Sequence, residues 1–435
     1  MAPGPLFEQA AEQWNLARLC VDLAAAKAAL MPHKRGELTD TEQARLRGLL
    51  LGYSPADIAE QQYATARTVE VALSQGLYRY IEQLVGRDRN SLTSWRDVVP
   101  WLEQAGYRCG QLAINWSQMP DVASLYGRQV ELDQLKGWLL GASPCRLVAI
   151  TGPAGIGKTT LAISLAKTIQ HHFEGLIWQS LRHRPTLEHL LGGWLQQMPE
   201  AAPASDEWYD RLSAVIAYLQ QHRCLVILDN LESILTGRSL VGGYEPGYEP
   251  YGELLKQLGE APHQSCVIVT SRERNRETRG FQAPSSPVRY LSLEGLPYAD
   301  AAQILEQERL SSQAQSYWKS LVTQYRGNPL MLRIVAMTIQ EVFGGDVRRF
   351  LGQRMTLFGD IKYLIDQQYE RLSDTEQEIL GQLAATAEPL PIEQLQHPRS
   401  LEAVSALLRR SLIEKSAAGF TLIPVVTEYV RNHLP

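Results

Sequence analysis

The chain has 435 residues, 45% of them hydrophobic and 20% charged, with 42 basic against 47 acidic side chains and a formal charge of −5. That length leaves room for about two to four domains, and the composition excludes a disordered or fibrous chain. The acidic excess excludes a whole-protein electrostatic pull toward DNA or anionic lipid, so any nucleic-acid contact has to be local.

The opening MAPGPLFEQAAEQW lacks a basic flank followed by an apolar core, and no run of 18 or more apolar residues occurs. We expect no signal peptide and no membrane span, and a cytoplasmic protein. Cys20, Cys109, Cys145, Cys224 and Cys266 form no CxxC pair and read as packing residues in a reducing cytosol. The histidines show no zinc-ligand spacing.

Residues 7–31 read as one helix, with Leu16, Leu19, Leu23, Ala26 and Leu30 on one face and Gly36 breaking the pattern. Short helices follow, capped by Thr39 or Asp40, by Ser54 and near Thr65, and a further helical piece lies between Asn90 and Gly106. From residue 126 apolar strands alternate with amphipathic helices: CRLVAI, GLIWQSL, CLVILD, CVIVTS and VRYLSL. Uniformly apolar strands separated by helices predict a parallel sheet covered on both faces. The segment 242–255, GGYEPGYEPYGELL, reads as a loop; Tyr244, Tyr248 and Tyr251 either pack it onto the body or form a docking surface. Beyond Gly295 the pattern is helical, and the last stretch, a helix, a turn at Ala418 and Gly419 and a strand FTLI, looks like a winged helix.

The strongest chemical signal is Gly152-Pro153-Ala154-Gly155-Ile156-Gly157-Lys158-Thr159, followed by Thr160, between strand CRLVAI and a helix. Glycines let backbone N–H groups turn toward phosphate oxygens, Lys158 reaches the β and γ phosphates, and the Thr159 hydroxyl ligates Mg²⁺. Asp229 ends a second buried strand as a metal-binding carboxylate. Arg272, after CVIVTS, is either a reader of the γ-phosphate or an exposed member of the cluster SRERNRETR.

The ordered series YGRQVEL, GPAGIGKTT, LVILDN, VTSR, LEGLPYADAAQIL and YRGNPLML resembles the STAND class of signal-transduction ATPases with an NB-ARC-like module. The resemblance covers residues 120–434. It implies a sheet of order 5-1-4-3-2, bound ATP or ADP with Mg²⁺, and Tyr126, Gly127 and Arg128 near the adenine. It further implies phosphate and metal held by the P-loop and Asp229, with Arg272 reading the γ-phosphate and Pro329 packing on the nucleotide. Pro329 also suits the first turn of a helix. Lys158, Asp229 and Arg272 are the expected catalytic set, and Thr159 with Asp229 the metal pair.

Two departures stand out. The family's winged-helix domain often carries a histidine against the β-phosphate of ADP, whereas here Ile423 and Pro424 occupy that place. The cyanobacterial type often carries C-terminal β-propeller repeats; the chain ends at Pro435, so a sensor is expected elsewhere or in another protein.

Residues 38–75 resemble the helix-turn-helix of bacterial response regulators, and more closely the N-terminal helical domain of cyanobacterial STAND proteins. Residues 36–89 hold six arginines against eight acidic residues, and Arg67 is alone as a base on the presumed recognition helix. Protein docking is therefore favoured over DNA binding. The expected organisation is an N-terminal helix (1–35), a helix-turn-helix-like domain (36–107), a linker (108–123), a P-loop domain (124–294), a small helical domain (295–346) and a winged helix (347–435). The expected function is a slow ATPase acting as a signalling switch, with protein partners at the N-terminal domain and a homo-oligomer in the ATP state; the alternative is an ATP-regulated DNA-binding transcription regulator. One residue bears on speed: Asn230 stands where a second acid would serve as base. Glu232 is a substitute base or an acid favoured at a helix start.

Overall fold

The computed structural model describes the chain except residues 1–5, 8, 32–36, 106, 109–118, 121–124, 142–143, 199–200, 202, 204, 241, 276, 278–285, 311–314, 354–355 and 434–435, and the side chain of Glu12. The readings on Gly36, Gly106, Cys109, most of the linker and the latter part of the basic cluster after Arg272 lie outside the described residues. The chain divides into two compact units, one of Met1–Ile114 with Thr168–Leu176 and His222–Cys224, the other of Asn115–Lys167, Ile177–Gln221 and Leu225–Pro435.

The N-terminal part of the first unit is helical: α1 (Ala10–Gln13), α2 (Leu16–Leu30), α3 (Asp40–Leu50), α4 (Pro55–Gln61), α5 (Ala66–Ala72), α6 (Tyr78–Leu84) and α7 (Val98–Gln104), with a π turn at Leu73–Leu77 between α5 and α6. The single helix expected over 7–31 is in fact broken at Trp14 and Asn15. Asn15 caps α2 by accepting the Arg18 N–H at 3.1 Å, and the buried Trp14 indole donates to the Leu50 carbonyl at 3.1 Å. A tertiary partner for Trp14 and a local cap for Asn15 outweigh the helical periodicity. Thr39 with Glu42 and Ser54 with Asp57 form reciprocal capping boxes, and Thr65 caps α5. Leu19, Leu23, Leu46, Leu49, Ile58, Leu73 and Ile81 share the core.

The second unit is built on a parallel sheet: β1 (Leu147–Thr151), β2 (Gly175–Ser180), β3 (Cys224–Asp229), β4 (Cys266–Ser271) and β5 (Val288–Ser292). Their order is β2-β3-β4-β1-β5, which is the expected 5-1-4-3-2 read from the other edge. Strands β1, β3 and β4 are buried along their whole length, as unbroken apolar runs require. Around them run α8 (Gln129–Leu140), α9 (Lys158–Ile169), α10 (Leu187–Leu195), α11 (Trp208–Gln221) and α12 (Pro250–Glu260). Helix α12 corrects the loop expected across 242–255. Pro250 presets the first turn, and Tyr251, Leu254, Leu255 and Leu258 form a buried stripe that the Gly-Pro punctuation upstream obscured.

Helices α13 (Tyr298–Gln307), α14 (Gln315–Gln324), α15 (Pro329–Phe343), α16 (Val347–Gly352), α17 (Gly359–Tyr369), α18 (Asp374–Ala385), α19 (Ser400–Arg409) and α20 (Pro424–His433) complete the chain, with a hairpin of β6 (Ile413–Ser416) and β7 (Gly419–Leu422) before α20. One apolar core joins these helices, from Trp318, Leu332 and Phe350 to Ile365, Leu380, Leu407 and Val426.

Candidate functional site

Strand β1 delivers Gly152 at the carboxyl edge of the sheet, and α9 starts at Lys158, so the glycine-rich loop is strung between a buried strand and a helix N-terminus. Gly155 has a φ of +74°, and a Cβ there would lie 2.6 Å from Cβ of Leu330. Only glycine gives both the left-handed backbone and the close approach of α15. The sequence reading missed Asn328. Its Oδ1 accepts the Met331 N–H at 3.2 Å and caps α15, while its Nδ2 donates to the Ala154 carbonyl at 2.9 Å. Leu330 N–H donates to the Gly155 carbonyl at 3.3 Å. The signal was present as Asn-Pro, an N-cap followed by a first-turn proline.

Lys158 is buried, and its Nζ donates to the Gly152 and Pro153 carbonyls, both at 2.9 Å. Burial pushes its ammonium down to about 8, against the pull of Glu232 and Asp229. The Thr159 hydroxyl donates to Oδ1 of Asp229 at 2.8 Å, and the Thr270 hydroxyl donates to the same oxygen at 2.6 Å. Burial raises the Asp229 carboxyl and the two hydroxyls oppose that rise. Insertion of β4 between β1 and β3 is what brings Thr270 to Asp229.

Asn230 adopts the left-handed conformation, φ 65°, and its N–H donates to the Thr270 hydroxyl at 3.1 Å. Asparagine tolerates that region better than most side chains. The turn carries the chain into a short 3₁₀ segment, Leu231–Ile234, that folds the Glu232 carboxylate back against the end of β4. There Glu232 is buried, pairs with Arg272 Nε at 3.1 Å, and accepts the Arg272 backbone N–H at 3.2 Å and Asn230 Nδ2 at 3.3 Å. Arg272 Nη1 also reaches Gln367 of α17 at 3.4 Å. The next residue, Glu273, takes Arg371 at 2.9 Å and Arg410 at 2.9 Å, and Arg410 continues to the fully buried Glu376 at 3.0 Å. No local pattern signals that network, whose members are scattered over 138 positions of chain by numbering from Glu273 to Arg410.

A cavity of about 490 Å³ lies over the P-loop. It is lined by Tyr126, Arg128, residues 154–160, Asn230, Glu232, Arg272, Pro329 and Leu330, and α17 contributes Leu364. Of the residues singled out by sequence, Gly127, Gly152, Pro153 and Asp229 stand behind its wall. Arg128 is buried and its donors are committed: Nη1 to Glu131 at 2.7 Å, Nη2 to the Ile156 carbonyl at 3.2 Å and to the Glu294 carbonyl at 2.7 Å. It ties the P-loop to the chain leaving β5. Gly127, with φ +57°, leaves no room for a Cβ beside the Asp300 carboxyl. Ile423 packs on the C-terminal core and Pro424 opens α20; neither lines the cavity, which Leu364 faces instead.

The donor set fits a magnesium nucleotide. The volume is that of a small-molecule site, the floor is a glycine loop leading into a helix N-terminus, a buried ammonium stands beside it, and a hydroxyl and a carboxylate lie side by side as hard oxygen ligands.

The NB-ARC domain model matches residues 128–235. An uncharacterized WD repeat-containing protein of Nostoc sp. is 41% identical over 341 residues, 74% of this chain and 27% of that protein. Disease resistance protein RGA5 of Oryza sativa is 33% identical over 116 residues, 25% of this chain and 10% of that protein. The chain thus spans about a quarter or less of the length of these relatives. Among solved structures, a Walker-type ATPase of Pyrococcus abyssi aligns over 71% of this chain and 96% of its own, with 13% identity and a TM-score of 0.50, a likeness of fold.

Proposed function

Since residues 128–235 of this chain match the NB-ARC domain, we propose that it is an ATP/ADP-dependent signalling switch of the STAND class that holds Mg-ATP between the P-loop and the helices from α13 to α15, hydrolyses it slowly, and thereby controls partner docking or self-assembly. The observation that carries this reading is the convergence on one cavity of the P-loop with Thr159, Arg272 and the α15 N-terminus, with Asp229 held behind that wall by the Thr159 hydroxyl. Two bodies meeting over a nucleotide are what a population shift needs, because the nucleotide then contacts each arrangement differently.

In this reading Lys158 exchanges the Gly152 and Pro153 carbonyls for phosphate oxygens, Thr159 and Asp229 hold the metal, Arg272 reads the γ-phosphate, and Tyr126, Arg128 and Pro329 frame the base and sugar. Mg²⁺, when bound, supplies charge neutralisation between the β and γ phosphates. Residues 347–435, with α16 to α20 and the β6–β7 hairpin, are the winged-helix domain of this reading, and residues 36–107 its helix-turn-helix-like domain. For that domain, protein docking is supported by a fully exposed Tyr63 ahead of α5 and a half-exposed Val71 in its last turn, and by the acidic balance there.

The test is nucleotide binding and turnover. Purified protein should bind a fluorescent ATP with Mg²⁺, and Lys158→Ala should weaken binding at least about 100-fold while leaving the melting temperature unchanged or higher, since a desolvated charge is removed. Turnover should be on the order of 0.01 per second or slower. Tens per second without a partner would mark a motor, and tight, steeply salt-dependent DNA binding would favour the transcription regulator.

A further inference from the structure

We infer that Glu232 is the general base of hydrolysis and that Arg272 masks it until a γ-phosphate draws the guanidinium away; this rests on the reading of the cavity as an ATP site. The position next to Asp229 is Asn230, which cannot take a proton as a carboxylate can. Its left-handed turn brings a different carboxylate to the same place. Glu232 lines the cavity, is buried, and has Arg272 on both its oxygens, through Nε at 3.1 Å on Oε1 and the backbone N–H at 3.2 Å on Oε2. Asn230 Nδ2 at 3.3 Å holds Oε1 from the other side. A carboxylate whose two oxygens are both taken by Arg272 has no oxygen left to orient an attacking water.

Of the arginines that line the cavity, Arg128 is buried and committed and Arg333 pairs with Glu308 at 2.7 Å, so Arg272 is the one whose turn toward a γ-phosphate releases Glu232. When it turns, the ion pair opens and Glu232 is left with Asn230 and the Arg272 main chain, charged and facing the cavity. In the reaction Glu232 takes a proton from the attacking water as the water oxygen bonds to the γ-phosphorus. The bond from that phosphorus to the β-bridging oxygen breaks, its electron pair leaves with ADP, and the proton passes from Glu232 to the released phosphate. Neither an oxidant nor a further reactant is needed. Arg272 is thus asked to do two things with one movement, read ATP and release the base, so hydrolysis follows recognition of the third phosphate.

The two functions predict opposite changes in one variant. Glu232→Gln keeps the size and an acceptor for the Arg272 main chain. It should slow single-turnover hydrolysis by about 100-fold or more. It should also raise the affinity for ATP relative to ADP by about tenfold, since Arg272 no longer gives up an ion pair to reach the γ-phosphate. Glu232→Ala should change both quantities in the same directions. In an Arg272→Ala background, which has lost discrimination between ATP and ADP, Glu232→Gln should leave the affinity ratio unchanged. A purely structural Glu232 would lower both affinity and rate. Hydrolysis within threefold of the original chain overturns the base, and an unchanged ATP-to-ADP ratio in the single variant overturns the mask. If the unsubstituted chain binds neither nucleotide, the ATP-site reading itself fails, a result separate from both.

Discussion

The two compact units bury polar side chains for different ends. In the N-terminal helices Asn15, Lys27 and Glu82 are the buried polar side chains among the described residues, and each closes on its own unit. Asn15 caps α2, Lys27 donates to the Glu37 carbonyl at 3.0 Å and to Glu42 at 2.7 Å, and Glu82 accepts the N–H groups of Asn90 at 3.1 Å and Leu92 at 2.9 Å. In the second unit Lys158, Glu232 and Arg272 line a cavity, while Glu273, Arg371, Arg410 and Glu376 tie the end of β4 to the C-terminal helices. Buried polar groups that satisfy one another specify a fold, whereas those left facing a cavity specify a ligand. The partly exposed Arg272 and the buried Glu273 are adjacent, so whatever turns Arg272 acts on a segment tied to Gln367 of α17, to Arg371 and to Arg410 after α19.

That division sets the largest expected effect away from the cavity. Arg410 is buried between two carboxylates, and Arg410→Met should destabilise the second unit by about 3 kcal/mol, because Glu376 is left charged without its guanidinium. Urea unfolding would read it as a lower midpoint. Adding Glu376→Gln should recover at least half of the loss, since the penalty is an unpaired buried charge rather than a missing contact. No recovery would mean that the arginine acts through packing of its stem, and the contrast between clamp and cavity would weaken.

Next in size is a change in the first unit that should leave nucleotide binding alone. Each Glu82 oxygen accepts a main-chain N–H, so Glu82→Gln turns one acceptor into a donor facing a donor. The expected cost is about 2 kcal/mol. Hydrogen exchange should show it as lost protection at Asn90 and Leu92, with ATP affinity within about twofold. A large loss of affinity would break the separation of roles between the two units.

How much of this was legible beforehand follows the same line. The sheet and the P-loop could be read because a parallel strand buried on both faces has to be an unbroken apolar run, and because the loop motif carries its own spacing; the strand order came from the family resemblance. The Thr159–Asp229 pair followed from those. What escaped depended on the third dimension. The break at Trp14 needs the Leu50 carbonyl, 36 residues away in sequence. Glu232 becomes part of the cavity wall only because Asn230 turns left-handed against Thr270, and the stretch LVILDNLES reads equally well with the acid pointing outward. Where the family often carries a histidine this chain has Ile423 and Pro424, which line no part of the cavity, and the contact comes instead from Leu364 of α17, 59 positions before Ile423. Local propensity carries none of these, since each is decided by a partner from another element.

The smallest effects sharpen the comparison best, because the same device occurs in both units with and without a neighbour at the cavity. Ser54 caps α4 and Asn328 caps α15, each by accepting the N–H three residues on, at 3.3 and 3.2 Å. Removing either oxygen, in Ser54→Ala or Asn328→Ala, should cost about 1 kcal/mol of stability. Only Asn328 also donates to the P-loop, at the Ala154 carbonyl. Asn328→Ala should therefore weaken ATP binding by about fivefold in titrations where Ser54→Ala leaves it unchanged, because the loop loses a hydrogen bond that holds its shape before the nucleotide arrives. Equal affinities in the two variants would mean that the P-loop is preorganised by Arg128 and its own glycines, with α15 a bystander to the phosphate end of the site.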